Sequence, residues 1–162
     1  MRSARVLFVC TGNICRSPTA EAVFRKAVAD AGLSDRIECD SAGMAPWHAG
    51  KAPDPRAVRA AFQRGYEMVE LRGRHLGVRD YSDFDLLIGM DSGHVKDMAR
   101  KCPRKAKGQV ALFLDFSPEL AATHGADVPD PYAGDEADFE FALDLIEAGV
   151  PNLLAAVEKD YL

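Results

Sequence analysis

The chain has 162 residues, of which 48% are hydrophobic and 28% are charged, a composition typical of a soluble globular protein. This length suits one domain spanning residues 1–162, with an ordinary hydrophobic core. No apolar run approaches a membrane span, and the run from Val6 to Val9 is too short for a signal peptide, so we expect a cytoplasmic protein without a membrane partner. A formal net charge of −5 gives no general attraction to nucleic acid.

Short apolar runs alternate with helical patterns along the chain. Ser17, Asp54 and Asp91 have the residue type of an N-cap, and Pro18 follows Ser17 at the first helical position. In chain order, the sequence predicts a strand at 5–10, a helix at 17–31, a strand at 36–41, a loop at 43–53 and a helix at 55–64. It then predicts a strand at 84–90, a helix from the cap at 91 to 101, a strand at 109–114 and a long loop. The last element is a helix at 136–148, which Pro151 kinks or restarts before its end near 159.

These elements predict an α/β fold of three layers, in which a four-stranded parallel sheet is flanked by helices on both faces. Ligands bind to such sheets beyond the carboxyl ends of the strands. The loop after Cys10, the turn at Asp91 and the loop at 127–135 each follow a predicted strand. We therefore expect these segments to meet at one edge of the sheet.

Charge is distributed unevenly along the chain. Residues 115–160 contain 12 acidic residues and one base, Lys159, whereas the other positions contain 13 acidic and 19 basic residues. A solvated helix face would account for the acidic stretch. An anionic ligand would therefore need a local site in the basic part of the chain.

The cysteines, at positions 10, 15, 39 and 102, form no Cys-x-x-Cys pair, and the histidines are scattered. In a cytoplasmic protein this pattern favours free thiols or a catalytic thiol over disulfides, and it argues against a zinc site. We therefore expect neither a bound metal nor a cofactor.

The segment CTGNICRS, from Cys10 to Ser17, has the features of an anion-binding loop. A strand–loop–helix unit directs backbone N–H groups at a point above the helix N-terminus. Gly12 and Asn13 tolerate left-handed conformations, and Arg16 can hold two phosphoryl oxygens through its guanidinium fork. The helix dipole, Arg16 and the Ser17 hydroxyl would favour the thiolate of Cys10, a nucleophile placed beneath a bound phosphoryl group.

The spacing Cys-x5-Arg is weak evidence by itself, because a buried cysteine and an unrelated surface arginine would also produce it. Its placement is more specific: a strand precedes it, a glycine lies within it, and a Ser-Pro helix start follows it. None of the other cysteines, Cys15, Cys39 and Cys102, has an arginine six residues later.

These residues closely resemble the signature of the low-molecular-weight protein tyrosine phosphatases. The resemblance implies a four-stranded parallel sheet flanked by helices, a phosphotyrosine-containing protein as partner, and hydrolysis that requires no metal. We expect a monomer or a weak dimer. The similarity covers nearly the whole chain and includes VCTGNICRSPTAE at 9–21, DSAGM at 40–44, WHAG at 47–50, PDPR at 53–56, MD at 90–91 and DVPDPYAGD at 127–135.

The resemblance also implies individual roles within the loop. Cys10 matches the nucleophile that becomes a phosphocysteine, and Arg16 matches the arginine that clamps the phosphate. Ser17 matches the hydroxyl that steadies the thiolate, and Asn13 the residue that braces the loop. Cys15 matches a neighbouring cysteine able to form a protective disulfide with the nucleophile. The phosphate-binding residues predicted in the loop are Thr11, Gly12, Asn13, Ile14, Cys15 and Ser17.

Asp130 matches the general acid of the family, and leaving-group chemistry gives an independent reason for an acid. A phenolate, whose conjugate acid has a pKa of about 10, leaves poorly at neutral pH unless it is protonated. One carboxylic acid can supply this proton and then take one from water in the second step. The acidic neighbours Asp127, Asp135 and Glu136 favour the protonated form of Asp130. Asp-Pro is also a common turn pair, so Asp130 could instead only start a turn.

Three residues could form an apolar slot for the ring of the substrate: Ile14, Trp47 and Tyr132. Trp47 lies in an irregular loop, and Tyr132 follows Asp-Pro. Either aromatic residue could instead serve ordinary packing.

Several positions depart from the usual pattern of the family. Ala133 stands where many members have a second tyrosine, and Leu71 stands where many have a histidine that braces the loop asparagine. Asn13 then needs another partner, for which Ser41 is a candidate. The pair Gly-His at 93–94 replaces a more usual polar pair. These changes leave the reacting groups intact.

Other functions are compatible with the same fold. Thioredoxin-linked arsenate reductases share the loop, but their disulfide relay needs a cysteine near the turn after the third strand, and residues 76–93 contain none. A protein-arginine phosphatase has a threonine where Ile14 stands, and a bulky aliphatic side chain there favours a flat phenyl ring over a guanidinium. An inactive phosphate-binding module is a further alternative, against which the joint presence of Cys10, Arg16 and Asp130 argues.

Overall fold

A computed structural model describes residues 2–162 and contains one four-stranded sheet. The strands are β1 (Ala4–Cys10), β2 (Ile37–Gly43), β3 (Leu86–Gly89) and β4 (Gln109–Leu112), and a 3-10 helix at Phe113–Phe116 follows β4. The helices are α1 (Arg16–Asp30), α2 (Pro55–Gln63), α3 (Asp80–Asp83), α4 (Ser92–Lys101), α5 (Pro118–His124) and α6 (Glu136–Tyr161).

The sheet is parallel throughout, with the strand order β2-β1-β3-β4. Alternate residues of β1 point to opposite faces of the sheet. Val6 and Phe8 pack in a core cluster with residues of α1 and α6, whereas Leu7 and Val9 pack in a second cluster with Met98 of α4. Helices therefore cover both faces, and the predicted fold class is confirmed.

The chain leaves β1 towards one edge of the sheet and β3 towards the other, so the switch point lies between these two central strands. A crevice forms at the carboxyl ends of strands at such a point. Cys10 ends β1, and Asp91 follows β3 by two residues. The N–H of Val128 donates to the carbonyl of Met90 at 3.0 Å, which brings the loop at 127–135 to the same edge. The three segments meet as the sequence predicts.

The start of α1 differs from the prediction. The helix begins at Arg16 with Cys15 as its N-cap residue, so the prediction of Ser17 as the N-cap is wrong. The Ser17 side chain turns inward and contacts Cys10 instead of capping the helix. The backbone N–H groups of the first turn are therefore not capped by a side chain and remain available to the anion-binding loop.

The sequence predicted that Pro151 kinks or restarts the last helix; α6 continues through Pro151 to Tyr161, so a restart is wrong. A proline inside a helix costs about 3 kcal/mol or more. Val150 and Leu153 are buried on either side of it, so the helix packs against the core at this point. The short helices α3 and α5 were not predicted, because four and seven residues are too few to show a helical period.

Within residues 2–162, no helix combines the length and the hydrophobicity that crossing a bilayer requires.

Phe8 and Phe24 form an edge-to-face pair in the main core, with ring centroids 5.5 Å apart, and neither residue is exposed. We expect Phe24→Ala to lower the free energy of unfolding by about 3–5 kcal/mol, because it removes this contact and leaves a cavity. Urea unfolding followed by circular dichroism measures the change. Phe62 of α2 is 68% exposed, so Phe62→Ala is the control and should change stability by less than about 0.5 kcal/mol. Equal effects of the two substitutions would contradict the packing.

Candidate active site

A cavity of about 260 Å³ opens at the carboxyl edge of the sheet. It brings together most of the predicted site residues, from the loop after β1, the loop at 43–53 and the loop before α6. Asn13 and Ser17 do not line it, and both are buried behind the loop. The lining residues are Cys10, Thr11, Gly12, Ile14, Cys15, Arg16, Trp47, His48, Asp130 and Tyr132.

The loop between β1 and α1 has backbone N–H groups available to an anion. Asn13 adopts a left-handed backbone conformation with a φ of 57°. In the described part of the chain, 2–162, no backbone N–H of residues 12–17 donates to a protein acceptor. The last of these groups belong to the first turn of α1, where the helix dipole is positive. This arrangement can hold a phosphoryl group.

Cys10 has a hydroxyl beside its sulfur. Its Sγ lies 3.0 Å from Ser17 Oγ, and both residues are buried. Asn13 Nδ2 donates to the same Ser17 oxygen at 2.8 Å. Because this oxygen already accepts a hydrogen bond, the Ser17 hydrogen can point at the sulfur. A hydroxyl donor is therefore available to the sulfur.

The side chain of Asn13 makes further hydrogen bonds, one of which the sequence predicted. Its Nδ2 also donates to Ser41 Oγ at 3.0 Å, so the candidate partner is confirmed, and its Oδ1 accepts from the N–H of Arg74 at 3.0 Å. The Ser41 hydroxyl in turn donates to Glu21 Oε1 at 2.7 Å. Leu71 takes no part in this network and packs against an apolar cluster. Asn13 therefore uses every polar atom of its side chain without the histidine.

Arg16 is 3% exposed, and the two terminal nitrogens of its guanidinium have different surroundings. Its Nη1 donates to Asp91 Oδ2 at 2.8 Å and to the carbonyl of Val128 at 2.9 Å. Its Nη2 lies 3.7 Å from Asp130 Oδ2, which is too long for a hydrogen bond. One end of the guanidinium is thus fixed, and the other lies beside Asp130 at the cavity.

Asp91 caps α4 and also balances the charge of Arg16. Burial opposes its ionisation, but hydrogen bonds from Arg16 and from the His94 backbone hold the pKa of Asp91 below its usual range. The sequence predicted the cap but not the ion pair. The pairing depends on a contact between residues 75 positions apart, for which the sequence carries no local signal.

His94 links α4 to the loop, a role that sequence reasoning missed. Its Nδ1 accepts from the N–H of Asp91 at 3.2 Å, which places the proton on Nε2, and Nε2 then donates to Thr11 Oγ1 at 2.9 Å. Burial lowers the pKa of His94 and outweighs the opposing charge of Asp91. The imidazole is therefore neutral at physiological pH.

The mouth of the cavity carries exposed aromatic side chains. Trp47 is 69% exposed and Tyr132 is 51% exposed, so neither serves core packing. His48, which sequence reasoning did not select, also lines the cavity, and its ring centroid lies 6.5 Å from that of Tyr132. A Cβ on Gly12 would lie 2.9 Å from the His48 ring, so a larger residue there would require the His48 side chain to move. The position of His48 inside the WHAG segment was the available signal.

Cys15 lines the same cavity but has a different environment from Cys10. Burial, followed by the charge of Asp54, raises the pKa of the Cys15 thiol. Both Cys10 and Cys15 are free cysteines in this structure. Cys15 is therefore a protonated thiol at neutral pH.

Across residues 2–162, no group of three or more His, Cys, Asp or Glu side chains is arranged to hold a metal ion. The positive charge at the cavity comes from Arg16.

The chain is similar to proteins of known family. A profile of the low molecular weight phosphotyrosine protein phosphatase family matches residues 5–162. A low molecular weight protein-tyrosine-phosphatase of Streptomyces coelicolor is 43% identical over 156 residues, which cover 96% of this chain and 94% of that protein.

Solved structures agree with this similarity. A protein tyrosine phosphatase of Entamoeba histolytica matches with a TM-score of 0.90 and 35% identity, covering 97% of this chain and 98% of that one. YfkJ of Bacillus subtilis has a TM-score of 0.90 and 36% identity, covering 99% and 98%. A Drosophila arginine phosphatase has a TM-score of 0.85 and 28% identity, covering 99% of both chains.

The lowered pKa of His94 makes stability depend on pH. Below about pH 6.5 the unfolded chain binds this proton more readily than the folded chain, so stability is lost as the pH falls from there towards the folded pKa. The loss can reach about 1.4 kcal/mol per pH unit. We expect His94→Gln, which can still donate to Thr11, to remove this pH-dependent part of the free energy of unfolding. The gap in free energy of unfolding between the unsubstituted protein and the variant should therefore narrow as the pH falls from about 8 to 5.

Urea unfolding at a series of pH values measures the gap. His124→Gln, at an exposed histidine, is the matched control and should follow the unsubstituted protein. A gap between the unsubstituted and His94→Gln proteins that stays constant with pH would contradict a neutral, buried His94.

Proposed function

Because the chain belongs to the low molecular weight phosphotyrosine protein phosphatase family, we propose that it hydrolyses phosphotyrosine in proteins through a phosphocysteine on Cys10. The observation that carries the proposal is a shared cavity. Cys10, Arg16 and Asp130 line it together, beside a loop whose N–H groups have no protein acceptor within 2–162. A nucleophile, an anion clamp and an acid are the groups that this reaction needs.

In the first step the phosphoryl group binds against the loop N–H groups and Arg16. Cys10 Sγ attacks phosphorus, the S–P bond forms, and the bond from phosphorus to the tyrosine oxygen breaks. Asp130 gives its proton to that oxygen. The Tyr132 N–H donates to Asp130 Oδ1 at 3.1 Å, so we assign the proton transfer to the other oxygen, Oδ2.

In the second step a water molecule attacks the phosphocysteine. Asp130, now a carboxylate, accepts a proton from this water. The S–P bond breaks, inorganic phosphate is released, and Cys10 returns to its thiolate form. Arg16 and the loop N–H groups stabilise the charge that develops on the phosphoryl oxygens in both steps. The Ser17 hydroxyl, 3.0 Å from the sulfur, stabilises the thiolate before attack and after release.

The substrate ring fits the apolar mouth of the cavity. Ile14, Trp47 and Tyr132 line it, and the exposure of the two aromatic side chains supports contact with a protein substrate. We propose further that the chain acts as a single domain, in the cytoplasm, as a monomer or weak dimer, with no nucleic-acid or membrane partner. The four free cysteines support a reducing compartment.

Phosphoarginine in proteins is a second candidate substrate, favoured by the similarity to the Drosophila arginine phosphatase. Ile14 lines the cavity beside the nucleophile. Its branched aliphatic side chain leaves less room for the two terminal nitrogens of a guanidinium than a threonine would. A flat phenyl ring avoids this contact, which supports phosphotyrosine as the main substrate.

We expect Cys10→Ser to abolish hydrolysis of p-nitrophenyl phosphate, with a loss of at least about 10³-fold, because a serine hydroxyl at this position remains un-ionised. The native activity should be insensitive to EDTA and blocked by vanadate. Rapid quenching of the native protein should trap a phosphoprotein that the variant lacks. Cys39→Ser is the matched control, since Cys39 lies away from the cavity, and should retain activity and trapping. Full activity of Cys10→Ser would exclude the proposed nucleophile.

We expect the native protein to turn over a phosphotyrosine peptide faster than a phosphoarginine peptide of the same sequence. Ile14→Thr should shift the ratio of the two kcat/KM values towards phosphoarginine by about tenfold, because a change of one or two buried atoms is worth about 1–3 kcal/mol. Release of phosphate measures both reactions. A native preference for phosphoarginine would make the second candidate the main function.

A further inference from the structure

Arg56, in the first turn of α2, contacts two segments that flank the cavity although it does not line the cavity itself. Its Nε and Nη2 donate to the two carboxylate oxygens of Asp54 at 3.1 and 2.9 Å. Its Nη2 also donates to the carbonyl of Tyr132 at 2.9 Å, and its Nη1 donates to the carbonyl of Gly134 at 3.2 Å. The guanidinium thus joins α2 to the loop that carries Asp130.

Asp54 connects this guanidinium to the nucleophile loop. Its backbone N–H donates to the carbonyl of Ile14 at 2.8 Å, and its side chain caps α2 through the N–H of Arg56 at 2.9 Å. Hydrogen bonds from the Arg56 side chain hold the pKa of Asp54 below its usual range, so the carboxylate is ionised and the fork is charge-assisted. One end of this connection is therefore fixed against the loop of Cys10.

The other end reaches Asp130 through the backbone of one residue, Tyr132. The N–H of Tyr132 donates to Asp130 Oδ1 at 3.1 Å, and the carbonyl of the same residue accepts from Arg56. The ring of Phe139 lies beneath the guanidinium, with Cζ 4.5 Å from its centroid, which limits the rotation of Arg56. A hydrogen-bonded path therefore runs from Arg56 through Tyr132 to the carboxylate of Asp130.

Asp130 has few other constraints. It is exposed, its loop contains neither helix nor strand from Val128 to Asp135, and its ion pair with Arg16 is 3.7 Å long. On the N-terminal side the loop is anchored at Val128, which contacts Met90 and Arg16. Arg56 supplies the corresponding anchor on the C-terminal side.

We infer that Arg56 is a positioning residue that holds Asp130 where it can protonate the leaving group. The inference rests on the proposed function, because it requires Asp130 to be the general acid. Misplacement of a catalytic group by about 1 Å can cost a hundredfold in rate. Misplacement of Asp130 should slow the hydrolysis only of esters whose leaving group needs the proton.

Arg56→Lys tests this role, because lysine keeps a positive charge near Asp54 but cannot hold Asp54 and two carbonyls at once. For phenyl phosphate, whose leaving group has a pKa of about 10, we expect kcat/KM to fall about tenfold to a hundredfold. For 2,4-dinitrophenyl phosphate, whose leaving group needs no proton, we expect a change of less than about twofold. Arg59→Lys, at an exposed arginine of the same helix, is the matched control and should behave as the native protein on both esters.

A double-mutant cycle separates positioning of the acid from a general structural role. Asp130→Asn alone should lower kcat/KM for phenyl phosphate by about 10²-fold or more and leave kcat/KM for the dinitrophenyl ester nearly unaffected, because kcat/KM does not include the second step, in which Asp130 acts as the base. Adding Arg56→Lys to Asp130→Asn should cause no further loss on phenyl phosphate, since the residue that Arg56 positions is already inactive. Thermal unfolding of each variant verifies folding, and Arg56→Gln replaces Arg56→Lys if the lysine variant is unfolded at the assay temperature.

Equal losses on the two esters, an additive loss in the double variant, or no loss in Arg56→Lys would each overturn the inference. If Asp130→Asn shows its selective loss in the same series, the proposed acid stands and only the role of Arg56 fails. If Asp130→Asn shows no selective loss, the proposed acid itself is wrong, and the role of Arg56 is overturned with it.

Discussion

Asn13 occupies a left-handed backbone conformation, with a φ of 57°, which asparagine tolerates better than most non-glycine residues. Its side chain supports this conformation through bonds to Ser17, Ser41 and the backbone of Arg74. The same conformation curves the loop so that its N–H groups are free of protein acceptors within 2–162. The bond to Ser17 also holds a hydroxyl oxygen 3.0 Å from the sulfur of Cys10. One residue thus determines both the anion site and the environment of the nucleophile.

The electrostatics of the cavity depend on which groups balance the positive charge of the buried Arg16 guanidinium. An unpaired buried charge is costly, and Asp91 with the Val128 carbonyl satisfies one end of Arg16. The other end is left beside Asp130, where a phosphoryl dianion would add charge. Asp91 is itself held by the cap of α4 and by His94, which reaches back to Thr11. The clamp and the loop are therefore supported by the same helix terminus.

The departures from the family pattern have different consequences. Leu71 replaces a polar brace and packs in an apolar cluster, while Ser41, Ser17 and the Arg74 backbone satisfy Asn13. The histidine at 94 adds a contact to the loop, because its ring is long enough to reach Thr11 from α4. Ala133 is exposed and does not line the cavity.

The sequence by itself determined the alternation of strands and helices, the parallel sheet, and nearly all the residues that line the cavity. The elements and the first loop follow from local patterns: hydrophobic period, caps at Asp54 and Asp91, and the glycine and arginine of a short loop. Asp130, Trp47 and Tyr132 were instead identified through the resemblance to the family. Only the tertiary structure decided that α1 begins at Arg16 and that Asp91 pairs with Arg16. It also decided that Arg56 joins two loops. The partners in each pairing between loops lie many positions apart or on separate elements, and such contacts form only when the sheet brings the carboxyl ends of its strands together.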